Sequence, residues 1–156
     1  MIILNGKKIS NVIKAEIAES VKDIVAKGLR PPHLAAVIVG SDGASLTYVG
    51  SKVRACKTVG FDSTLINLPD SISETELLEK VEELNNDKNI DGYIVQLPLP
   101  KHIDAQKILM AVSADKDVDG FHPTNFGKMA LSLPTFISAT PFGIMELLKR
   151  YNVDTS

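Results

Sequence analysis

Apolar and polar positions along the chain change period repeatedly, and each change marks an element. After a short apolar start at Ile2–Leu4, which reads as an edge strand, Ile13, Ile17, Val21 and Ile24 recur at steps of three and four. That period places them on one helix face, with Ser10 as N-cap and Gly28 as the C-terminal stop. Arg30–Pro32 cannot continue the helix. Leu34–Val39 (LAAVIV) is a continuous apolar run with polar residues at both ends, the pattern of a parallel strand covered on both faces. A helix over about Ala44–Val59 follows, with Leu46, Val49, Val53 and Cys56 as its core stripe.

Phe61–Leu68 reads as a second strand. Ser73 and Glu76 form a capping box that opens a helix to about Asn85, with Leu77, Leu78, Val81 and Leu84 facing inward. Ile90–Leu97 (IDGYIVQL) is a third strand, and a shorter helix lies near Asp104–Val112. Thr140 and Pro141, as N-cap and first helical residue, open a last helix with Ile144, Leu147 and Leu148 inside. Strands alternating with helices predict an α/β protein, a three-layer α/β/α arrangement around a mostly parallel sheet. Neither internal repeats nor low-complexity segments interrupt it.

Composition narrows the class. The chain has 156 residues, 44% hydrophobic and 23% charged, a globular balance with enough length for one buried core. A net charge of −2 and dispersed basic residues argue against nucleic-acid or membrane surfaces as partners. The opening MIILNGKK has too short an apolar stretch for a signal peptide, and its lysines follow that stretch. Cys56 is the single cysteine, which excludes an internal disulfide and fits a reducing cytoplasm.

Tyr48 and Lys52 are the first candidates for chemistry. They sit one helical turn apart, just after an apolar strand and the Gly40–Gly43 loop, at the rim where open α/β sheets bind ligands. With about 100° per residue, Ser45, Tyr48 and Lys52 form a stripe beside the core stripe. A partly desolvated lysine there can move a proton at neutral pH; spacing alone favours a solvated helix lysine. Tyr48 reads equally as a boundary tyrosine, and Ser45 as a first-turn helix residue. Gln96, in VQLPLP, offers an amide at a strand end, either to a ligand or merely to its neighbours.

Asp115, Asp117, Asp119 and Gly120 begin like a calcium loop, but the ninth and twelfth positions are Pro123 and Phe126, where the loop needs a ligand and a bidentate Glu. Ordinary turn chemistry, or a carboxylate accepting two parallel N–H donors, remains. The Gly40–Gly43 loop lacks both the dinucleotide and the Walker spacing. His33, His102 and His122 are scattered, so no metal is expected.

Three blocks in this order, GSDGASLTYVGSKVRACKTVGF, DGYIVQLPLPKHI and ADKDVDGFHPTNFGKM, make the chain resemble methylenetetrahydrofolate dehydrogenase/methenyltetrahydrofolate cyclohydrolase, specifically its amino-terminal catalytic domain. The resemblance implies an amino-acid-dehydrogenase-like fold and a tetrahydrofolate-binding catalytic domain over 1–150. It implies that Lys52 handles protons in the cyclohydrolase step, that Tyr48 packs on the folate rings, that Gln96 hydrogen-bonds the lysine, and that Asp119 grips the aminopyrimidinone edge of the pterin. Ser45, Leu97, Pro98, Pro100, Pro141 and Gly143 are implied as further substrate contacts.

Two departures accompany it. The family often has Pro-Cys-Thr-Pro-x-Gly where this chain has Ser138-Ala139-Thr140-Pro141-Phe142-Gly143, so no thiol is needed there. Family members also continue into a Rossmann domain for NADP (or NAD), whereas 151–156 reads as the start of an interdomain boundary, leaving the cofactor-binding residues unknown. The chain is therefore expected to be a fragment with no dehydrogenase and at most weak cyclohydrolase activity, of an enzyme that is a homodimer when whole. A domain that holds folate without turnover, and the substrate domain of an amino-acid dehydrogenase, are the alternative readings.

Overall fold

The structure, a computed structural model, describes residues 3–155. Three parallel strands, β1 (His33–Val39), β2 (Asp62–Leu68) and β3 (Gly92–Val95), form a sheet of order β2-β1-β3. The strand with the most continuous apolar run takes the centre: Ala35 through Val39 are all buried. Alternate residues of β1 serve opposite faces. Ala35, Val37 and Val39 join Leu77, Val81, Tyr93, Val95 and Ile108 in one core, while Ala36, Ile38 and Ile94 join Val49, Val53 and Val118 in the other. Burying a side chain such as Leu77 or Val81 contributes about 1.5–3 kcal/mol before conformational entropy is set against it.

The helices that cover these faces are α2 (Gly43–Val59) on one side and α3 (Glu74–Asn86) with α4 (Ala105–Ala111) on the other. Right-handed crossovers require this, because β1 leads outward to β2 whereas β2 leads back past β1 to β3. The three-layer arrangement expected from the sequence is therefore present. After α4 the chain returns alongside β3, where Asp117 makes a parallel bridge with Tyr93. The chain thus leaves β1 and β3 in opposite directions. A crevice opens beyond their carboxyl ends, at the switch point between them.

Several boundaries differ from the sequence reading. Ile2 lies outside the described residues, and Ile3 and Leu4 form no strand. Helix α1 (Gly6–Ala26) starts four residues before Ser10, because Asn5 caps it by accepting a hydrogen bond from the Lys8 N–H at 3.0 Å. Its end is as read: Gly28 has φ +78°, and the N–H groups of Gly28 and Leu29 close onto Val25 and Ile24. In α2, Leu46 is exposed and Ser45 is buried, so the buried stripe runs Ser45, Val49, Cys56 and Val59. Apolar periodicity did not separate neighbouring positions at the first turn; packing did.

β3 stops at Val95, shorter than the predicted Ile90–Leu97, and Gln96 makes one last bond to β1 by donating its N–H to Val37 O at 2.9 Å. Helix α5 (Pro123–Ala130) has no counterpart in the sequence reading. His122 caps it through Nδ1, which accepts from the Thr124 N–H, and Pro123 occupies its first turn. The last helix, α6 (Ala139–Arg150), begins after Ser138 rather than at Thr140 and has no side-chain cap. Ile144 is exposed, and Leu147 and Leu148 are half-buried. The helix packs against α1 by its edge, where Arg150 grips Glu16 through two hydrogen bonds. Among the described residues, no helix is long and apolar enough to cross a membrane.

Candidate functional site

The switch-point crevice is a cleft of about 210 Å³. Helix α2 supplies Tyr48 and Lys52, the end of β3 supplies Val95, the segment leaving it supplies Gln96 and Leu97, and the chain after α4 supplies Asp119 and Phe121. Ser138, Ala139 and Thr140, at the start of α6, close the remaining wall. The four residues singled out as catalytic from the sequence, Lys52, Tyr48, Gln96 and Asp119, therefore share one cleft.

The Lys52 ammonium lies 3.5 Å from Asp119 Oδ1 and 4.7 Å from the centre of the Tyr48 ring. The two charged side chains are 22% and 23% exposed, so solvent screens their attraction less than on an open surface. Stacking of the amine on the ring follows from their i, i+4 spacing on α2. Tyr48 is 54% exposed, which leaves ring surface for a ligand. The ion pair is longer than a tight charge-assisted hydrogen bond, and both groups keep capacity for another partner. The hydrogen bond that Gln96 makes is local, from its amide nitrogen to Leu97 O at 2.7 Å. The charged partner of Lys52 is Asp119.

The aspartate-rich turn divides the two roles read from its sequence. Asp117 does the turn chemistry: it is buried, and its Oδ2 accepts from the His122 N–H at 2.8 Å while its carbonyl accepts from Gly120. Asp119 faces the cleft. The turn is seated against the sheet by Tyr93, whose N–H donates to Lys116 O at 3.0 Å. Gly92 makes room for Val118, since a Cβ at Gly92 would collide with its side chain. Gly120 has φ +69°, and a Cβ there would stand 2.6 Å from Ser138 N. Among the described residues, no three His, Cys, Asp or Glu side chains form a group that could hold a metal ion.

Other expected contact residues lie elsewhere. Ser45 lies on the buried face of α2, with its N–H bonded to Asp42. Pro98, joined to Leu97 by a cis peptide bond, and Pro100 continue past the cleft wall, while Pro141 is exposed on α6. Gly143 borders a second, apolar groove of about 730 Å³ between α1, α2 and α6, walled by Ile13, Ile17, Cys56 and Phe142 and touching Lys52 at one edge. Burial pushes the Cys56 thiol pKa up, which suits packing rather than nucleophilic chemistry. The larger groove lacks the convergence of amine, carboxylate, amide and aromatic ring that marks the smaller cleft. Phe121, Ser138, Ala139 and Thr140 were absent from the sequence-derived site. The His122-Pro123 cap signal could have revealed that the chain turns back there.

A nicotinamide dinucleotide does not fit the loop after β1. A Cβ at Gly40 would lie 2.9 Å from Asp70 Oδ1, and Asp42 already caps α2. Two carboxylates thus stand where a pyrophosphate would need bare N–H groups.

Residues 4–119 match the family described as tetrahydrofolate dehydrogenase/cyclohydrolase, catalytic domain. A bifunctional FolD protein of Flavobacterium johnsoniae is 68% identical over 156 residues, covering 100% of this chain and 53% of the relative. Among solved structures, the bifunctional FolD enzyme of Campylobacter jejuni aligns with a TM-score of 0.95 at 43% identity, over 99% of this chain and 55% of its own. The Trypanosoma brucei methylenetetrahydrofolate dehydrogenase-cyclohydrolase, solved with NADP and an inhibitor, aligns with a TM-score of 0.92 at 30% identity, over 97% of this chain and 52% of its own. The chain spans about half the length of the curated relatives it matches.

Proposed function

We propose that this chain, which belongs to the tetrahydrofolate dehydrogenase/cyclohydrolase catalytic-domain family, binds a tetrahydrofolate in the Lys52–Asp119 cleft and carries the proton-handling group for hydrolysis of the methenyl form. The observation that carries the reading is the convergence on Lys52: an aromatic face at 4.7 Å from the same helix and a carboxylate at 3.5 Å from a distant part of the chain. Tyr48 offers its ring to the flat pterin. Asp119 accepts the two adjacent N–H donors of the aminopyrimidinone edge, turning from the amine as the substrate enters. Lys52 is then released toward the reacting carbon, with Gln96 beside it.

Hydrolysis needs placement and proton transfer more than charge stabilisation, because the methenyl cation is delocalised over two nitrogens. Water adds to the methenyl carbon and loses a proton. The bond from that carbon to the pterin nitrogen breaks as the nitrogen is protonated, and loss of the hydroxyl proton leaves the formyl group. One proton is released overall. Lys52 carries protons between the adding water and the departing nitrogen.

Oxidation of methylenetetrahydrofolate with NADP (or NAD) belongs, in this reading, to the whole protein, as do a homodimeric state and a cytoplasmic setting. The relatives' dehydrogenase and cyclohydrolase activities and their greater length support the oxidation reading, and no residue of this chain is assigned to the cofactor. The decisive test is spectroscopic loss of methenyltetrahydrofolate. Loss above buffer that disappears in Lys52→Met is the expected result. A rate equal to buffer and indifferent to Lys52→Met removes the catalytic claim, and absence of folate binding removes the site.

A further inference from the structure

We propose that Asn125 is a positioning residue that sets the cleft by tying together the two segments facing Lys52, a claim that rests on the folate reading of that cleft. Asn125 is 2% exposed although it lies on α5, outside the cleft wall. Its amide nitrogen donates to Asp117 Oδ2 at 2.9 Å and to Ala114 O at 2.8 Å, and its oxygen accepts from Thr135 Oγ at 2.7 Å. One side chain thus joins the end of the α4 connection, the turn that carries Asp119, and the strand of chain leading to Ser138.

Asp119 and Ser138 are wall residues that lie in no helix or strand. Asp117, 5% exposed, has its Oδ2 shared between Asn125 and the His122 N–H. Two residues on, Asp119 meets Lys52. On the other side Gly120 lies against the backbone of Phe136, Ile137 and Ser138, so the turn and the α6 entry are in contact as well as bonded to a common residue. A buried amide with both donors and its acceptor engaged admits one arrangement, since any shift leaves a polar group unpaired. None of its hydrogen bonds goes to the α2 wall, so its influence on a ligand runs through the Asp119 turn, against which the α6 entry is braced.

The test is a double-mutant cycle on binding of 5,10-methenyltetrahydrofolate to this chain. Asn125→Asp keeps the shape but replaces both donors with an acceptor against Asp117 and Ala114. It should weaken binding roughly tenfold, the scale of one unsatisfied buried polar contact. Thr135→Val, milder and remote from Asp117, should weaken it roughly threefold and keeps the cycle readable where Asn125→Asp is poorly folded. In an Asp119→Asn background, each should cost less than about twofold more, because the contact it orients is already gone. A merely structural role predicts the same loss in both backgrounds; that additive result overturns the positioning claim while leaving the folate site standing. Failure of the unaltered chain to bind the probe overturns the folate reading itself, and this claim with it.

Discussion

Lys52 and Asp119 meet at 3.5 Å across the open end of the sheet, one on α2 and the other on the turn after α4. Neither residue has a reason to be partly desolvated on its own. Together they form a charge pair that a ligand can enter, because the separation leaves both groups free to bond elsewhere.

Replacing Lys52 by Met removes the amine and keeps the aliphatic length. Turnover of methenyltetrahydrofolate should fall by at least about a hundredfold, the lower range for loss of a general acid or base. Far-UV circular dichroism should be unchanged. A variant that keeps its rate would place proton transfer elsewhere.

Tyr48 is expected to act through its ring face. Tyr48→Phe should bind a folate probe within about twofold of the original, whereas Tyr48→Ala should weaken binding roughly tenfold by losing both the stacking surface and the seat of the Lys52 amine. Titration calorimetry distinguishes the two. Equal losses would assign the role to the hydroxyl instead.

Gly120→Ala should destabilise the chain by about 1–3 kcal/mol. The residue has φ +69°, and the added Cβ would meet Ser138 N at 2.6 Å and the Ile137 carbonyl carbon at 2.9 Å. Backbone on both sides cannot move aside as a flexible side chain would. Urea unfolding gives the stability, and an unchanged midpoint would contradict the close approach.

The clasp between α1 and α6 should respond to acid. Hydrogen bonding to Arg150, at 2.6 and 2.7 Å, holds the Glu16 carboxyl pKa below its ordinary value. A lowered native pKa gives stability that is present above the unfolded group's titration and lost as pH falls through the native one. Glu16→Gln should therefore lower the melting temperature at neutral pH, with the difference vanishing below the ordinary glutamate range of about 4.3. Because the pair is exposed, added salt should also shrink it. A difference that persists at low pH would point to packing rather than charge.

The sequence by itself determined the elements whose signals are local. The unbroken run Ala35–Val39 specified a strand covered on both faces, Ser73 and Glu76 specified the start of α3, and Gly28 the end of α1. The i, i+4 relation of Tyr48 and Lys52 was equally legible, since helix geometry alone puts them together. The motif blocks then named the residues that share the cleft.

Only the tertiary structure decided which of several equal-looking residues face it. Asp117 and Asp119 have the same side chain and nearly the same neighbours in sequence. One is buried under α5 and bonded to Asn125, while the other reaches Lys52. Ser45 and Leu46 were likewise assigned to core and solvent by packing, against their polarity. The start of α6 was shifted to Ala139, and its apolar residues were left largely uncovered. The physical reason is one of range. Caps and periodicity act over a turn or two of chain, whereas a cleft wall is set by contacts between segments that only the completed sheet and its crossovers bring together.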